Sequence, residues 1–584
     1  MPSWWSICER GCPATRSQLR FRSSPKFREQ RRASLTSAQS GTTLVPPVPA
    51  RIMAADSPTV AQILRRQARC RPDHPFLVCD SDRISYAQAD LRSAELARGL
   101  IALGIGKAAH VGLLYPNGSD FVIGMLAAAR IGAVVIPIST FVTPRELHEQ
   151  LVDSDTQILL SADTFRSHDY AGRLRQLLGD TGFDGEDRLF SRAIPQLRTA
   201  WVSYRRGAPR RTRSIECVYR LSQTIDPTML RALEDDVDGS DVLAIVYTSG
   251  TTSAPKGVVH THSALVRHQQ NLNVIRGLGT DDKLFCNSPF CWIGGFAFGL
   301  LATLLAGSTL VCSNADAATT LDLLEREKPT MTNGFASTVA RLANHPSFGR
   351  RDLSSMRRGN LYPIMAPEAR PVDPELRHNM LGMTEAGSIV LISADESDQP
   401  ESRRGSFGKP APGFDTIIIE PGTGEVANVG QVGELCIRGP FVMQGYYKRS
   451  REECFDADGW FHTGDLVRAD QDGYMYFTGR LSSLIKTAGA NVSPAEVERA
   501  IAKLGMVAHV VGIPDPQRGQ VVAAVLVVAD GVGALDELAL RERLETELSA
   551  YKIPTRFATL PPSEIPLLSS GKVDTHQLKK CFDA

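Results

Sequence analysis

Apolar and polar residues change their spacing several times along this chain, and each change predicts an element. From Pro58 the pattern reads helix, strand, helix, strand. Val60, Ile63, Leu64 and Ala68 fall on one helical face. A second helix is predicted from Ser85-Tyr86, with Leu91, Leu96, Leu100 and Leu103 at near-helical spacing. Val111 to Leu114 reads as a short strand, and Asn117-Gly118-Ser119 as a turn with a cap before Phe121 to Ala129. Ile131 to Ile138 reads as a buried strand. Apolar strands alternating with helices predict parallel βαβ units covered on both faces. Towards the other end, Ser493 with Pro494 and Glu496 has the form of a capped helix start. Strands are predicted at Val507–Ile513 and Val521–Val528, then a helix with Leu540, Leu544 and Leu548 on one face.

One stretch carries chemistry beyond its pattern. Val242 to Tyr247 is long enough for one buried strand, and it breaks at once into Thr248-Ser249-Gly250-Thr251-Thr252-Ser253-Ala254-Pro255-Lys256-Gly257. Glycine lets backbone approach a ligand closely, and hydroxyls with amide N–H groups cradle anionic oxygens. Lys256 adds a point positive charge, so the loop suits a polyphosphate. It is not a Walker-type loop: Pro255 stands where that motif needs glycine, and Gly257 where it needs a metal-binding hydroxyl.

Composition narrows the partners. The 584 residues suggest about four average domains, or fewer large α/β ones. Apolar content of 42% and charged content of 22% are those of a globular protein, and a net charge of +1 gives no support to a nucleic-acid partner. The 11 cysteines form no CxxC pair and read as reduced thiols of a cytoplasmic enzyme. The longest apolar run, Phe121 to Ile138, is broken by Arg130 and Pro137, which leaves at most peripheral membrane contact. Met1 to Arg51 is rich in Arg and Ser, with Glu9 and Glu29 its only acids. Such a composition fits a transit peptide, but Met53 opens a natural beginning, so residues 1–52 are read as a disordered extension or a mis-assigned start. The basic stretch from Ser191 to Arg213 reads as a solvated surface loop.

The loop at Thr248–Gly257 resembles, almost residue for residue, the YTSGTTGxPKG signature of the adenylate-forming superfamily, which includes acyl- and aryl-CoA ligases, adenylation domains and luciferases. Further motifs follow in that superfamily's order. Pro289-Phe290-Cys291-Trp292-Ile293-Gly294-Gly295 is similar to its PxFHxxG, Leu381-Gly382-Met383-Thr384-Glu385 to its YGMTE, and Gly459 to Asp465 to its GWFHTGD. Ile485 to Glu498 and Pro566 to Lys572 resemble its C-terminal signatures. The chain departs from the pattern at Gly359-Asn360-Leu361-Tyr362-Pro363, where an adenine-stacking turn belongs, and at Leu481-Ser482-Ser483, where a charged hinge residue belongs.

The resemblance implies an α/β protein with a large N-terminal domain, residues 53–478, and a small α+β lid, residues 479–584. It implies ATP, Mg²⁺ and coenzyme A as cofactors, and a small-molecule carboxylic acid as substrate. Thr248, Ser249, Gly250, Thr251 and Thr252 would bind phosphate, and Asp465 and Arg480 the nucleotide. Lys572, Glu385, Thr384 and Lys256 would be catalytic, with Glu385 and Thr248 at the metal. Trp292, Gly294 and Gly295 would line the acid pocket; Ser482, Lys486 and Gly489 would serve the hinge and coenzyme A. The expected reaction joins a hydrophobic, fatty or ring-bearing acid to coenzyme A through acyl-AMP. The alternatives are an acyl-AMP ligase that loads an acyl carrier protein and an inactive acyl- or nucleotide-binding homologue.

Overall fold

The computed structural model describes residues 58–179, 189–204, 213–248, 255–487, 490–515, 518–528, 536–545, 547–548, 552–568 and 572–583. The expectation for residues 1–52 lies outside them. Two mostly parallel sheets build the body. The first runs in the order Gly445–Tyr446, Lys256–Thr261, Val242–Thr248, Val134–Pro137, His110–Leu114, Ile158–Ala162, Thr199–Ser203. Its strands are parallel from Val242–Thr248 outward to Thr199–Ser203, and antiparallel at the other edge. The second sheet runs Arg358–Gly359, Met331–Asn333, Lys283–Cys286, Thr309–Cys312, Pro75–Cys79, Asp82–Ser85, with only the last pair antiparallel. Parallel strands covered on both faces are apolar throughout, which is why Val242–Tyr247 carries no alternation. The helix Ser119–Arg130 is buried along nearly its whole length.

Local details differ from the sequence expectations for identifiable reasons. In the helix Tyr86–Ala102 the buried face passes through Tyr86, Ala89, Ser93, Leu96 and Leu100, and Leu91 is 61% exposed. Two residues beyond Ala89 is more than half a turn, so Leu91 points away from that face. Within the expected turn, Gly118 occupies the cap position of the next helix and makes no side-chain capping bond. The strand expected from Ile131 is confined to Val134–Pro137, because Gly132 at φ +64° turns the chain first. Within the basic stretch, Thr199–Ser203 is an edge strand with Ala200 and Val202 buried. Ser493 precedes the helix Pro494–Lys503 but makes no capping hydrogen bond; its hydroxyl donates instead to the Thr478 carbonyl at 2.8 Å.

An antiparallel sheet of Asp415–Ile419, Gly433–Arg438, Phe461–Ala469 and Met475–Arg480 ends the body. The single turn Leu481–Ser483 leads from it into the lid, whose sheet is centred on Gly519–Val527. Two apolar clusters there, one around Ile501 and Leu526, the other around Val521, Ala523 and Val525 with Leu578, contain no residue before Ile485. A large N-terminal domain and a small C-terminal one are therefore present, as the sequence leads one to expect.

Candidate active site

Thr248 and Lys256 are paired across the antiparallel strands that flank the loop between them. Ser249, Gly250, Thr251 and Thr252 lie outside the described residues. A Cβ on Gly257 would lie 2.7 Å from Ile245 and 3.0 Å from the Tyr247 ring, so the hairpin closes there only with glycine. Beside it, Gly445–Tyr446 adds a short strand that pairs Tyr446 with Val258. Lys256 Nζ lies 4.9 Å from the Tyr446 ring centroid, and the Tyr446 hydroxyl donates to Glu385 Oε1 at 2.8 Å. Burial and the Glu385 charge raise the Tyr446 pKa, which keeps it a donor.

Thr384 and Glu385 sit in one turn of 3₁₀ helix, Thr384–Ala386, closed by Gly387 at φ +67°, whose N–H reaches the Thr384 carbonyl at 2.9 Å. The same carbonyl faces His260 Nε2 at 2.7 Å. A carbonyl only accepts, so the His260 proton is on Nε2. Burial lowers the pKa of this imidazole to about 4, with the Thr384 contact opposing, and its Nδ1 has no hydrogen-bond partner. His260 is thus a neutral prop beneath the turn. The Met443 N–H to the Glu385 carbonyl, 2.8 Å, holds it from the other side.

Asp465 arrives from a different sheet. It is fully buried and lies directly across from Arg480 in the strand register. Burial pushes its carboxyl up to about 6; Arg480 and Lys572 oppose, and Glu385 adds to the shift. Arg480 pairs with this carboxylate: its Nε lies 2.6 Å from Oδ1 and its Nη2 donates to Oδ2 at 3.4 Å.

Lys572 closes the group from the lid. Its carbonyl accepts from the Leu568 N–H at 2.7 Å, beside a bridge between Leu567 and Val573. By area the residue is open to solvent, but protein surrounds enough of the ammonium for desolvation to lower its pKa. Arg480 lowers it further, while Asp465 and Glu385 oppose. Lys572, Arg480, Asp465 and Glu385 therefore share one electrostatic neighbourhood.

Trp292 is half-buried and meets two other aromatic rings, Phe335 edge-on at 5.6 Å and Phe141 at 6.5 Å. It precedes a π-helical segment, Gly294–Leu301, a rare geometry associated with functional sites. A Cβ on Gly295 would stand 2.1 Å from the Pro289 carbonyl, whereas one on Gly294 would meet only Ser288 Oγ, at 3.9 Å. Asn117 fixes the loop before Trp292: its amide donates to the Ser288 carbonyl at 3.0 Å and accepts from the Phe290 N–H at 2.7 Å. In and after the divergent segment, Pro363, Pro367 and Pro374 each stand in the first two positions of a 3₁₀ turn, where the missing N–H has no helical acceptor to lose. Asn360 there clasps both backbone groups of Gly334, at 2.8 and 3.1 Å. Ser482 falls in the turn Leu481–Ser483 and Lys486 in the strand Ile485–Thr487, while Gly489 lies outside the described residues.

The supporting roles of His260, Tyr446 and Asn117 are absent from the sequence expectations, which place Asn117 only in a turn. Each is a local residue of ordinary type whose partner lies far along the chain, 124 positions away for His260 with Thr384 and 173 for Asn117 with Phe290.

A large body of two mostly parallel sheets followed by a small C-terminal domain is the architecture of the adenylate-forming enzymes. The chain belongs to the AMP-binding enzyme family: that family's model matches residues 64–447, and the AMP-binding enzyme C-terminal domain matches residues 496–572. This places it among the AMP-forming acid–thiol ligases. It is 30% identical to a feruloyl-CoA synthase of an Amycolatopsis species over 535 residues, 88% of this chain and 98% of that one. An octahydroindenyl-propanoyl:CoA ligase of Mycobacterium tuberculosis is 31% identical over 543 residues, 90% of this chain and all of that protein. The crystal structure of the anthranilate CoA ligase AuaEII with anthranoyl-AMP shares the fold, at a TM-score of 0.74 and 22% identity, covering 91% of this chain and 98% of that one. Among the described residues no helix is long and apolar enough to cross a membrane.

Proposed function

We propose that this protein is a cytoplasmic, ATP-dependent acyl-CoA synthetase that activates a hydrophobic, ring-bearing or fatty carboxylic acid through acyl-AMP. The observation that carries the reading is the convergence of Glu385, Asp465, Arg480 and Lys572, drawn from body and lid, with Arg480 paired to buried Asp465. In this reading Asp465 accepts from the ribose hydroxyls, and Thr384 donates to the α-phosphate. Lys572 and Lys256 offset the charge that builds as one anion attacks another. Glu385 offers hard carboxylate oxygens suited to Mg²⁺, together with Thr248 at the loop stem; the ion would supply charge neutralisation at the phosphates. The acid's apolar part lies against Trp292, Phe141 and Phe335, a wall of ring faces with Gly294 leaving room beside it. The relatives named for feruloyl and octahydroindenyl-propanoyl acids support a ring-bearing substrate.

The test is ATP–pyrophosphate exchange across fatty, aromatic and polycyclic acids, followed by thioester formation with coenzyme A. Exchange with at least one ring-bearing or fatty acid and AMP release dependent on coenzyme A are expected. Exchange with a small polar acid alone, or acyl transfer to a carrier protein only, would overturn the reading.

A further inference from the structure

On the far side of the turn that bears Asp465 lies a side-chain cluster that the proposed reaction does not use. The strands Gly433–Arg438 and Phe461–Ala469 are antiparallel, with Cys436 directly across from His462. Glu434, two residues before Cys436, projects from the same face of its strand. The pairing slips between Glu434 and Cys436, and the slip is absorbed by Thr463-Gly464-Asp465, which bulge out of register. As a result His462 Nδ1 lies 2.9 Å from Glu434 Oε2 and 3.4 Å from Cys436 Sγ. One ligand atom from each of the three residues falls within 4.8 Å of the others. On the opposite edge of the ring, His462 Nε2 faces Asp456 Oδ2 at 3.5 Å. Glu434 and Cys436 are buried and His462 is exposed, so the imidazole side provides an entry path.

We propose that Glu434, Cys436 and His462 form a site for a borderline-soft divalent cation of the zinc class, and that filling it weakens nucleotide binding at the adjacent Asp465 turn. A thiolate, an imidazole and a carboxylate are the donor set such an ion takes, with water in the fourth position, whereas Mg²⁺ requires oxygens. The protons balance. Cys436 releases its thiol proton to solvent as the sulfur–metal bond forms; the proton that His462 Nδ1 gives to Glu434 in the empty site leaves that nitrogen, and the ring then keeps one proton on Nε2, which faces Asp456. A carboxylate that orients a ligating imidazole in this way is the usual outer partner of such sites. The contact between His462 and Glu434 Oε2 gives way to two bonds to the ion. The coupling runs through Glu434, whose other oxygen accepts from the Gly464 N–H at 2.9 Å, so drawing this carboxylate towards an ion tugs on the Gly464–Asp465 peptide. That coupling rests on the ribose role given to Asp465; the cation site itself does not.

The full-length chain, free of ATP, is titrated with Co²⁺, and separately loaded with Zn²⁺ and desalted in excess Mg²⁺. One equivalent of retained zinc and a thiolate-to-cobalt charge-transfer band in the near ultraviolet are expected. Both should vanish in Cys436→Val, which should keep its Mg²⁺-dependent activity; Cys436→Ser serves if the valine variant fails to fold. Absence of the band in the native chain, or an unchanged band in these variants, overturns the site, the latter by placing the ion on other thiols such as Cys70 or Cys581. Zinc should also raise the KM for ATP several-fold in the native chain and not in Cys436→Val. Equal inhibition of both overturns the coupling. A cobalt band in a chain that does no adenylation keeps the cation site and discards the nucleotide reading.

Discussion

In the body, the groups that face the site are held by buried or half-buried partners: Thr384 by His260, Glu385 by Tyr446 and Met443, Asp465 by its place in a largely buried strand. In the lid, the described contacts of Lys572 are the Leu568 N–H to its carbonyl and the neighbouring Leu567–Val573 bridge, and charge links it to Arg480, Asp465 and Glu385. The lid has apolar clusters of its own, and Ser493 to Thr478 is a hydrogen bond that ties it back to the last body strand. The contrast teaches how the labour divides. The body keeps its donors and acceptors on buried or paired supports, and the lid brings the Lys572 ammonium near them.

The sharpest way to break this comparison is Lys572→Ala. Removing one preorganised charge contact at a developing anion costs on the order of 10²–10³ in rate. Pyrophosphate exchange should fall by that factor, while conversion of synthetic acyl-AMP and coenzyme A to the thioester continues. Equal loss in both half-reactions would show that the lysine does not leave with the lid. Tyr446→Phe removes the donor to Glu385 and should lower kcat for adenylation by about tenfold, the worth of a hydrogen bond to a charged group. An unchanged rate would release Tyr446 from the site.

His260→Leu fills the same buried space without the proton donated to Thr384. A neutral hydrogen bond is worth about 1 kcal/mol, so kcat should fall about fivefold. Because the native imidazole has a pKa of about 4, the shape of the pH–rate profile above that value should not change. A changed profile would mean that His260 titrates in the working range. Trp292→Ala should reorder the acids by kcat/KM by a smaller factor and leave the KM for ATP alone; a uniform loss with a lowered Tm would assign the ring to packing.

The gentlest effect is on pH. Asp465 must be ionised to accept from a ribose, and its carboxyl is raised to about 6, so kcat/KM for ATP should rise as pH rises through about 6. Arg480 favours the ionised form, so Arg480→Met should move that inflection upward. An inflection that stays in place would separate Arg480 from Asp465.

Much of this was legible because it depends on short-range order. The hairpin around Lys256, the Thr384-Glu385 turn and the strand bearing Asp465 each announce themselves by residue types that a phosphate, a hard cation or a buried pair requires at fixed spacing. The apolar runs Val242–Tyr247 and Val111–Leu114 likewise fix parallel strands, since only strands covered on both faces tolerate unbroken apolar sequence. What the linear pattern misplaced was local geometry under tertiary control: Leu91 pointing outward, Ser493 giving its hydroxyl to Thr478 instead of its own helix, Thr199–Ser203 joining a sheet inside a basic stretch.

The sequence by itself determined the family, the order of its motifs and the chemical types at the site, because those residues must recur at set intervals for the chemistry to work. Only the tertiary structure decided that His260 stands under Thr384, that Tyr446 joins Lys256 to Glu385, and that Cys436 faces His462 beside Glu434. These partners come from strands distant in the chain, and what pairs them is the register of sheets and the burial that strips water from polar atoms. Neither leaves a mark in the spacing of neighbouring residues.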